Sequence, residues 1–211
     1  MKKIIAINTS PRTTYNTATL VNKAAEGARL NGAEVEVIDL YRIQPFTGCI
    51  SCFACKRESS YGVCACKDGL WEVLDNIRNA DGLIIGSPNY LGDLTAGFRA
   101  LYERLVFQSL TYNLENPCCN KRKIPVLLIT TSNCDVDYYE TVGYDKMLEN
   151  YKKTLSDFVG ETTILISGNT RQVKDYSIYN WTLFDAEAKQ KSFEEQFPID
   201  CEKAFEAGAK L

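Results

Sequence analysis

Residues 48–69 read GCISCFACKRESSYGVCACKDG and place Cys49, Cys52, Cys55, Cys64 and Cys66 within eighteen positions. The first three follow C-x2-C-x2-C, a spacing that lets three thiolates reach one centre from a tight loop. A cysteine further along completes a set of four. Four crowded thiolates suit a cubane 4Fe–4S cluster, for which this run is the compact pattern. Zinc held by four cysteines more often uses two separated C-x2-C pairs. A disulfide, or a group of unliganded thiols, completes the set of readings. The chain has no histidine, so a histidine general base and any hydrolase triad built on one are excluded.

The totals narrow the setting of these thiols. A chain of 211 residues can bury a full hydrophobic core without staples. Nine cysteines is an odd number, which argues against a fully paired framework. Net charge is −3 and no Lys/Arg stripe is present, so neither nucleic acid nor an anionic membrane is an expected partner. The opening MKKIIAINTS has only four apolar residues before Asn8, too few for the core of a signal peptide. No stretch approaches the length of a membrane span. A cytoplasmic location is expected, where thiols stay reduced and clustered cysteines more often bind metal or do redox chemistry.

The elements that must position the loop follow from periodicity. Apolar runs at 2–8, 123–132 and 161–168 read as buried strands, as does 81–90, and the alternating 33–40 reads as another. Helices are expected from Asn16 to the Asn31-Gly32 stop, over 70–80, through Leu94, Phe98, Leu101 and Leu105, and over 145–160. The tail beyond 168 is polar and aromatic, with two helical pieces expected on either side of Pro198. Strands and helices alternate, which predicts a parallel sheet covered on both faces. One domain over 1–168 with an extension over 169–211 is the simplest organisation.

In such a sheet the ligand lies beyond the carboxyl ends of the strands, where strand order reverses. The loop after the first strand, TSPRTTYNT (9–17), lacks the dinucleotide fingerprint G-x-G-x-x-G. It offers hydroxyls, Arg12 and a helix N-terminus, which together make a phosphate site. The alternative is that Asn16 or Thr17 serves only as an N-cap. The loop after the third strand, GSPNYLGD, brings Tyr90 and two glycines to the same edge. A phosphate site beside a flat-ring site suggests a mononucleotide with a planar ring.

At these residues the chain resembles a known family. SPR…NT after the first strand and GSPxYxG after the third resemble the NAD(P)H-dependent FMN reductases of flavodoxin-like fold. Gly48-Cys49, Cys52, Cys55, then Gly62-Val63-Cys64 and Asp68 resemble the iron–sulfur flavoproteins within that superfamily. The resemblance spans roughly residues 1–168. It implies a flavodoxin-like three-layer α/β sandwich with a five-stranded parallel sheet of order 2-1-3-4-5. The cysteine loop would follow the second strand and a helical extension would close the chain.

The resemblance also implies FMN, with NAD(P)H as co-substrate. Ser10, Arg12, Tyr15, Asn16 and Thr17 would hold the phosphate end. Pro88, Asn89, Tyr90 and Gly92 would meet the ring and ribityl chain, joined by Thr131 and Ser132 after the fourth strand. Relatives usually carry glycines at that last position. Cys49, Cys52, Cys55 and Cys64 would ligate the cluster, with Cys66 as an extra thiol. The gap of eight residues between Cys55 and Cys64 is longer than in the iron–sulfur flavoproteins.

The implied activity is a flavin-dependent oxidoreductase passing electrons between NAD(P)H or a ferredoxin-like donor and a small acceptor. The implied assembly is a homodimer or homotetramer. Both loops leave the sheet at one edge, so a cluster is expected near the FMN of its own chain or of a partner subunit. Cofactor chemistry of this kind needs position and electrostatics from the protein rather than a histidine base. An electron carrier or redox sensor, with a cysteine loop that binds zinc or nothing, is the alternative. Cys118 and Cys119 are read as structural or incidental and Cys201 as a small buried apolar group, while Cys134 sits where it could touch a flavin. Tyr176, Tyr179, Trp181 and Phe184 are expected to pack on the domain or a partner, or to roof the cofactor.

Overall fold

β1 (Lys3–Asn8) runs through the middle of the molecule, and its residues Ile4 to Ile7 are fully buried. A strand covered on both faces can be apolar throughout, and IIAI is. The computed structural model describes residues 1–211. It pairs β1 in parallel with β2 (Glu34–Asp39) on one side and β3 (Gly82–Tyr90) on the other. β5 (Val126–Thr131) and β6 (Thr162–Ser167) continue the sheet, in the order β2-β1-β3-β5-β6. A two-residue strand, β4 (Asp93–Leu94), pairs antiparallel with the end of β3. The five parallel strands therefore follow the expected order, and β4 adds a sixth strand and shifts the numbering by one.

Two apolar layers sandwich the sheet. α1 (Asn16–Leu30) and α6 (Ala186–Ala209) cover the face carrying Ile4, Ala6, Ile84 and Leu127. α2 (Gly69–Arg78), α3 (Ala96–Ser109) and α5 (Tyr144–Phe158) cover the face carrying Ile5, Ile7, Leu83 and Leu128. A short α4 (Tyr139–Val142) precedes α5. No helix is long and apolar enough to cross a membrane.

Three local outcomes differ from expectation or sharpen it. Leu94 belongs to β4, not to the helix after it, because Thr95 caps α3: its Oγ1 accepts from Phe98 N at 3.2 Å. Pro198 does not divide the tail into two helices and lies inside α6. Its side is exposed, as is that of Glu194, so water can take the hydrogen bond that the proline cannot make. The other side of α6 is clamped to α1. A Cβ on Gly27 would stand 1.9 Å from Phe205 O, and one on Gly208 would stand 1.9 Å from Ala24 O. The two helix backbones touch there, and only glycine permits it.

Thr95 also ties α3 to the ligand edge. Its Oγ1 donates to Thr9 O at 2.8 Å and its N–H donates to Ser87 Oγ at 3.1 Å. Thr95→Val keeps the shape and the N–H bond to Ser87 Oγ, and loses the cap and the hydroxyl bond to Thr9 O. It is expected to lower stability by about 1–2 kcal/mol in urea unfolding. A change below about 0.5 kcal/mol would show that the cap contributes nothing.

Candidate functional site: a cleft at the strand ends and a thiol cavity beside α3

Strand order reverses between β1 and β3, and a cleft of about 360 Å³ opens at their carboxyl ends. Ten of the eleven residues expected to hold a flavin line it: Ser10, Arg12, Tyr15, Asn16, Thr17, Pro88, Asn89, Tyr90, Thr131 and Ser132. Gly92 does not. It forms the β3–β4 turn with Leu91, both at positive φ (88° and 57°). That two-residue turn needs two left-handed positions, and a non-glycine at the first is strained. Leu91 is fully exposed and lines the cleft as well.

The phosphate end is built from the chain between β1 and α1. Asn8 Oδ1 accepts from Ser10 N at 3.0 Å, and Ser10 Oγ accepts from Arg12 N at 3.1 Å. The N-cap position of α1 is Tyr15, and its side chain makes no capping bond. Neither Asn16 nor Thr17 caps the helix. Asn16 Nδ2 donates to Arg171 O at 2.8 Å, and Thr17 Oγ1 shares a 2.8 Å hydrogen bond with Thr131 Oγ1. The first N–H groups of α1 are thus left for a ligand, where the helix dipole favours negative charge.

Across the cleft, Ser132 Oγ lies 2.7 Å from Tyr139 OH and 2.8 Å from Cys134 O. Burial pushes the Tyr139 phenol up to about 12, so it stays protonated. Asn133 Oδ1 is buried and has no hydrogen-bond partner, a rare condition in a folded protein. Cys134 is not among the lining residues. Sequence reasoning did not reach Thr170 and Gln172, which close one side. Arg12 donates to Gln172 O, and its guanidinium lies 4.6 Å from the Tyr15 ring centre. Gln172 N and Oε1 both bond Tyr176 OH, at 3.0 and 2.9 Å. No spacing or motif in the tail signals these contacts. The aromatics beyond form their own stack, with Trp181 4.3 Å from Tyr179.

The cysteine loop occupies a different place. Cys49, Cys52, Cys55, Cys64 and Cys66 all line one narrow apolar cavity of about 20 Å³, walled by Ile50, Phe53, Ala65 and Phe107. Ser51 and Phe53 stand at φ 53° and 55°, and these left-handed residues turn the C-x2-C-x2-C run tightly. The loop is docked along α3. Arg104, 1% exposed, donates to Asp68 Oδ1 at 2.6 Å and to Cys66 O at 2.8 Å. Cys49 N donates to Glu103 Oε2 and Cys64 N to Gln108 Oε1, each at 3.2 Å. Lys56 donates to Phe107 O and Leu110 O.

This docking changes one expectation. The loop does not stay at the ligand edge. Arg104 lies nine residues past the α3 N-cap, roughly 13 Å along the helix axis. The thiol cavity and the cleft share no lining residue.

The donor set fits a thiolate-bound cluster in chemistry: thiols in an apolar enclosure, with the buried Arg104 Nε left without a partner. Burial pushes the Cys55 thiol up. Burial and then Asp68 do the same for Cys66, whose Sγ lies 3.7 Å from Asp68 Oδ2. No three Cys, Asp or Glu side chains are grouped so as to hold a single metal ion, and all nine cysteines are free thiols. Cys119, read as incidental, lies at the back of the loop, where a Cβ on Gly62 would meet its Sγ at 3.0 Å.

A family model described as NADPH-dependent FMN reductase matches residues 2–133. The chain belongs to this family. Among curated relatives, an iron–sulfur flavoprotein of Methanocaldococcus jannaschii is 36% identical over 114 residues, covering 54% of this chain and 57% of that one. An iron–sulfur flavoprotein of Methanosarcina thermophila is 31% identical over 104 residues, 49% of this chain and 52% of that one. The chain thus spans about half the length of these curated relatives. Solved structures show the fold over the full length. An azoreductase from Bacillus anthracis str. Sterne superposes with a TM-score of 0.69 at 13% identity, covering 100% of both chains. An NAD(P)H:quinone oxidoreductase from Methanothermobacter marburgensis gives 0.66 at 16% identity, covering 100% of this chain and 96% of that one.

Proposed function

We propose that this member of the NADPH-dependent FMN reductase family is an FMN-dependent oxidoreductase that takes electrons from NAD(P)H or a ferredoxin-like donor and passes them to a small acceptor. The observation that carries this reading is the cleft: ten of the eleven residues expected from the resemblance line it, and it lies at the reversal of strand order. Bound FMN supplies both two-electron and one-electron chemistry. Ser10, Arg12 and the uncapped start of α1 bind its phosphate. Pro88, Asn89 and Tyr90 on one side, and Thr131, Ser132 and Asn133 on the other, orient the ring. The segment 169–211 is an extension of the same domain, and through Thr170 and Gln172 it helps to enclose the cleft.

Cys49, Cys52, Cys55 and Cys64 are proposed to hold a 4Fe–4S cluster. The likeness to iron–sulfur flavoproteins supports this, and so does the gathering of the thiols around one cavity. A cubane presents its irons at separate corners, so its ligands need not converge as those of a single ion do. Cys64 is preferred over Cys66 as the fourth ligand, because the Cys66 thiol is engaged with Asp68.

The lack of a single-ion grouping favours a second reading, a reductase of the same fold with no metal in the loop. An absorption spectrum of anaerobically purified protein decides between them. Flavin bands on a broad visible shoulder that bleaches with dithionite are expected, and Cys55→Ser is expected to remove the shoulder while leaving the flavin bands. Flavin bands alone would support the second reading. No flavin after incubation with FMN would overturn the proposed function.

A further inference from the structure

Lys189 on α6 is 5% exposed, and none of the ion pairs in the structure includes it. Lysine is almost never this buried unless paired. Its ammonium donates only to neutral oxygens, Asn133 O and Asn169 Oδ1. Only the first belongs to a residue of the cleft wall. Asn169, at φ 51°, donates its N–H to Cys134 O at 2.8 Å. Burial lowers the Lys189 pKa, and Asp135, exposed and outside ion-pairing distance, opposes this only in part. A buried ammonium held by uncharged oxygens is desolvated at a cost that its partners do not fully offset. A buried positive charge behind the wall favours negative charge on the other side of it.

We propose that Lys189 is a positioning residue that makes the 131–133 wall electrostatically positive and so favours negative charge arriving in the cleft on reduction. This rests on the FMN reading above. Two-electron reduction that brings in one proton leaves one more negative charge in the cleft than before. Lys189 therefore binds the reduced state more favourably than the oxidised one and raises the reduction potential of the occupant.

The test compares Lys189→Gln, which keeps an amide donor toward Asn133 O without the charge, with Lys189→Arg, which keeps the charge. FMN affinity is measured by fluorescence quenching on apoprotein. The two-electron potential is measured by equilibration with a reference dye. Lys189→Gln is expected to bind oxidised FMN about as wild type does and to favour the reduced state about tenfold less, a fall of about 30 mV. Lys189→Arg is expected to restore the potential. An unshifted potential in Lys189→Gln, or failure of that variant to fold, would assign the ammonium to structure alone and overturn the proposal. If wild-type apoprotein takes up no FMN, the functional reading fails and this one with it. A flavin-loaded wild type with an unshifted variant overturns only the role of Lys189.

Discussion

Arg104→Met is expected to lower the stability of the protein by about 3 kcal/mol, near the low end for breaking a buried ion pair by removing one partner. The methionine keeps the aliphatic stem, so the loss reports the guanidinium and not a cavity. Arg104 is 1% exposed and its partner Asp68 is 17% exposed in side-chain area. Without the guanidinium, Asp68 keeps the N–H groups of Thr47 and Leu70, at 3.0 and 3.1 Å, and the Cys66 thiol, all uncharged, and Cys66 O loses its donor. For a chain of this size the loss corresponds to roughly 6–12 °C in Tm. Asp68→Asn with Arg104→Met is expected to cost less than the sum of the two single changes, because neither partner is then left charged and alone. A loss under about 1 kcal/mol for Arg104→Met would show that the pair is not what holds the loop.

The same pair sets an acid dependence. Burial opposes the charge of Asp68, but the Arg104 guanidinium and the Thr47 N–H hold its carboxyl below the ordinary value of 3.8. A carboxyl lowered on folding contributes stability above its unfolded pKa, and that contribution fades as pH falls through the folded value. Wild type is therefore expected to lose stability below about pH 4 more steeply than Asp68→Asn does. The difference between their urea midpoints at pH 7 and pH 3 measures it. Equal slopes would mean that Asp68 does not titrate in the folded protein at a lowered pKa.

Arg12→Ala is expected to weaken FMN binding by about tenfold to a hundredfold, the range for losing a hydrogen-bonded charge on a phosphate. The structure gives Arg12 two resting contacts, the Tyr15 ring and Gln172 O, and neither neutralises it. Its charge stands at the mouth of an uncapped helix, where the phosphate of the proposed FMN would meet both. Arg12→Lys is expected to fall between the two, because lysine keeps the charge and loses the two-pronged donor geometry. Riboflavin, which lacks the phosphate, is the control: its affinity is expected to be the same for wild type and Arg12→Ala. Fluorescence titration of apoprotein measures all three. A drop of less than about threefold for FMN, or an equal drop for riboflavin, would place the phosphate elsewhere.

Much of this protein can be read from local pattern. Runs such as IIAI and VLLIT are apolar at every position because parallel strands are buried on both faces, and their spacing with helical segments dictates the alternation. The two ligand loops were legible for the same reason: each lies immediately after a strand, so the topology carries both to one edge. The thiols were legible as a group from spacing alone. The turn at Leu91-Gly92 was less so, because its two-residue hairpin hides inside a glycine-bearing loop and moves Gly92 out of the cleft. The single helix through Pro198 was also hidden, since the proline signal is local and the clamp at Gly27 and Gly208 that overrides it is not.

What the sequence by itself determined, then, was the sheet, its layers and the chemical types assembled at each loop, because these depend on residues close together in the chain. Only the tertiary structure decided where the cysteine loop lies and what completes the cleft. The loop runs down α3 because Arg104, Glu103 and Gln108 reach it, and its own Lys56 reaches Phe107 O and Leu110 O, across gaps of tens of residues. Thr170 and Gln172 join the cleft through hydrogen bonds to Ser132 O and Arg12, and the buried Lys189 on α6 reaches the back of its wall at Asn133 O. Contacts between residues so far apart in the chain leave no periodicity, and the burial of one charge depends on every element packed around it.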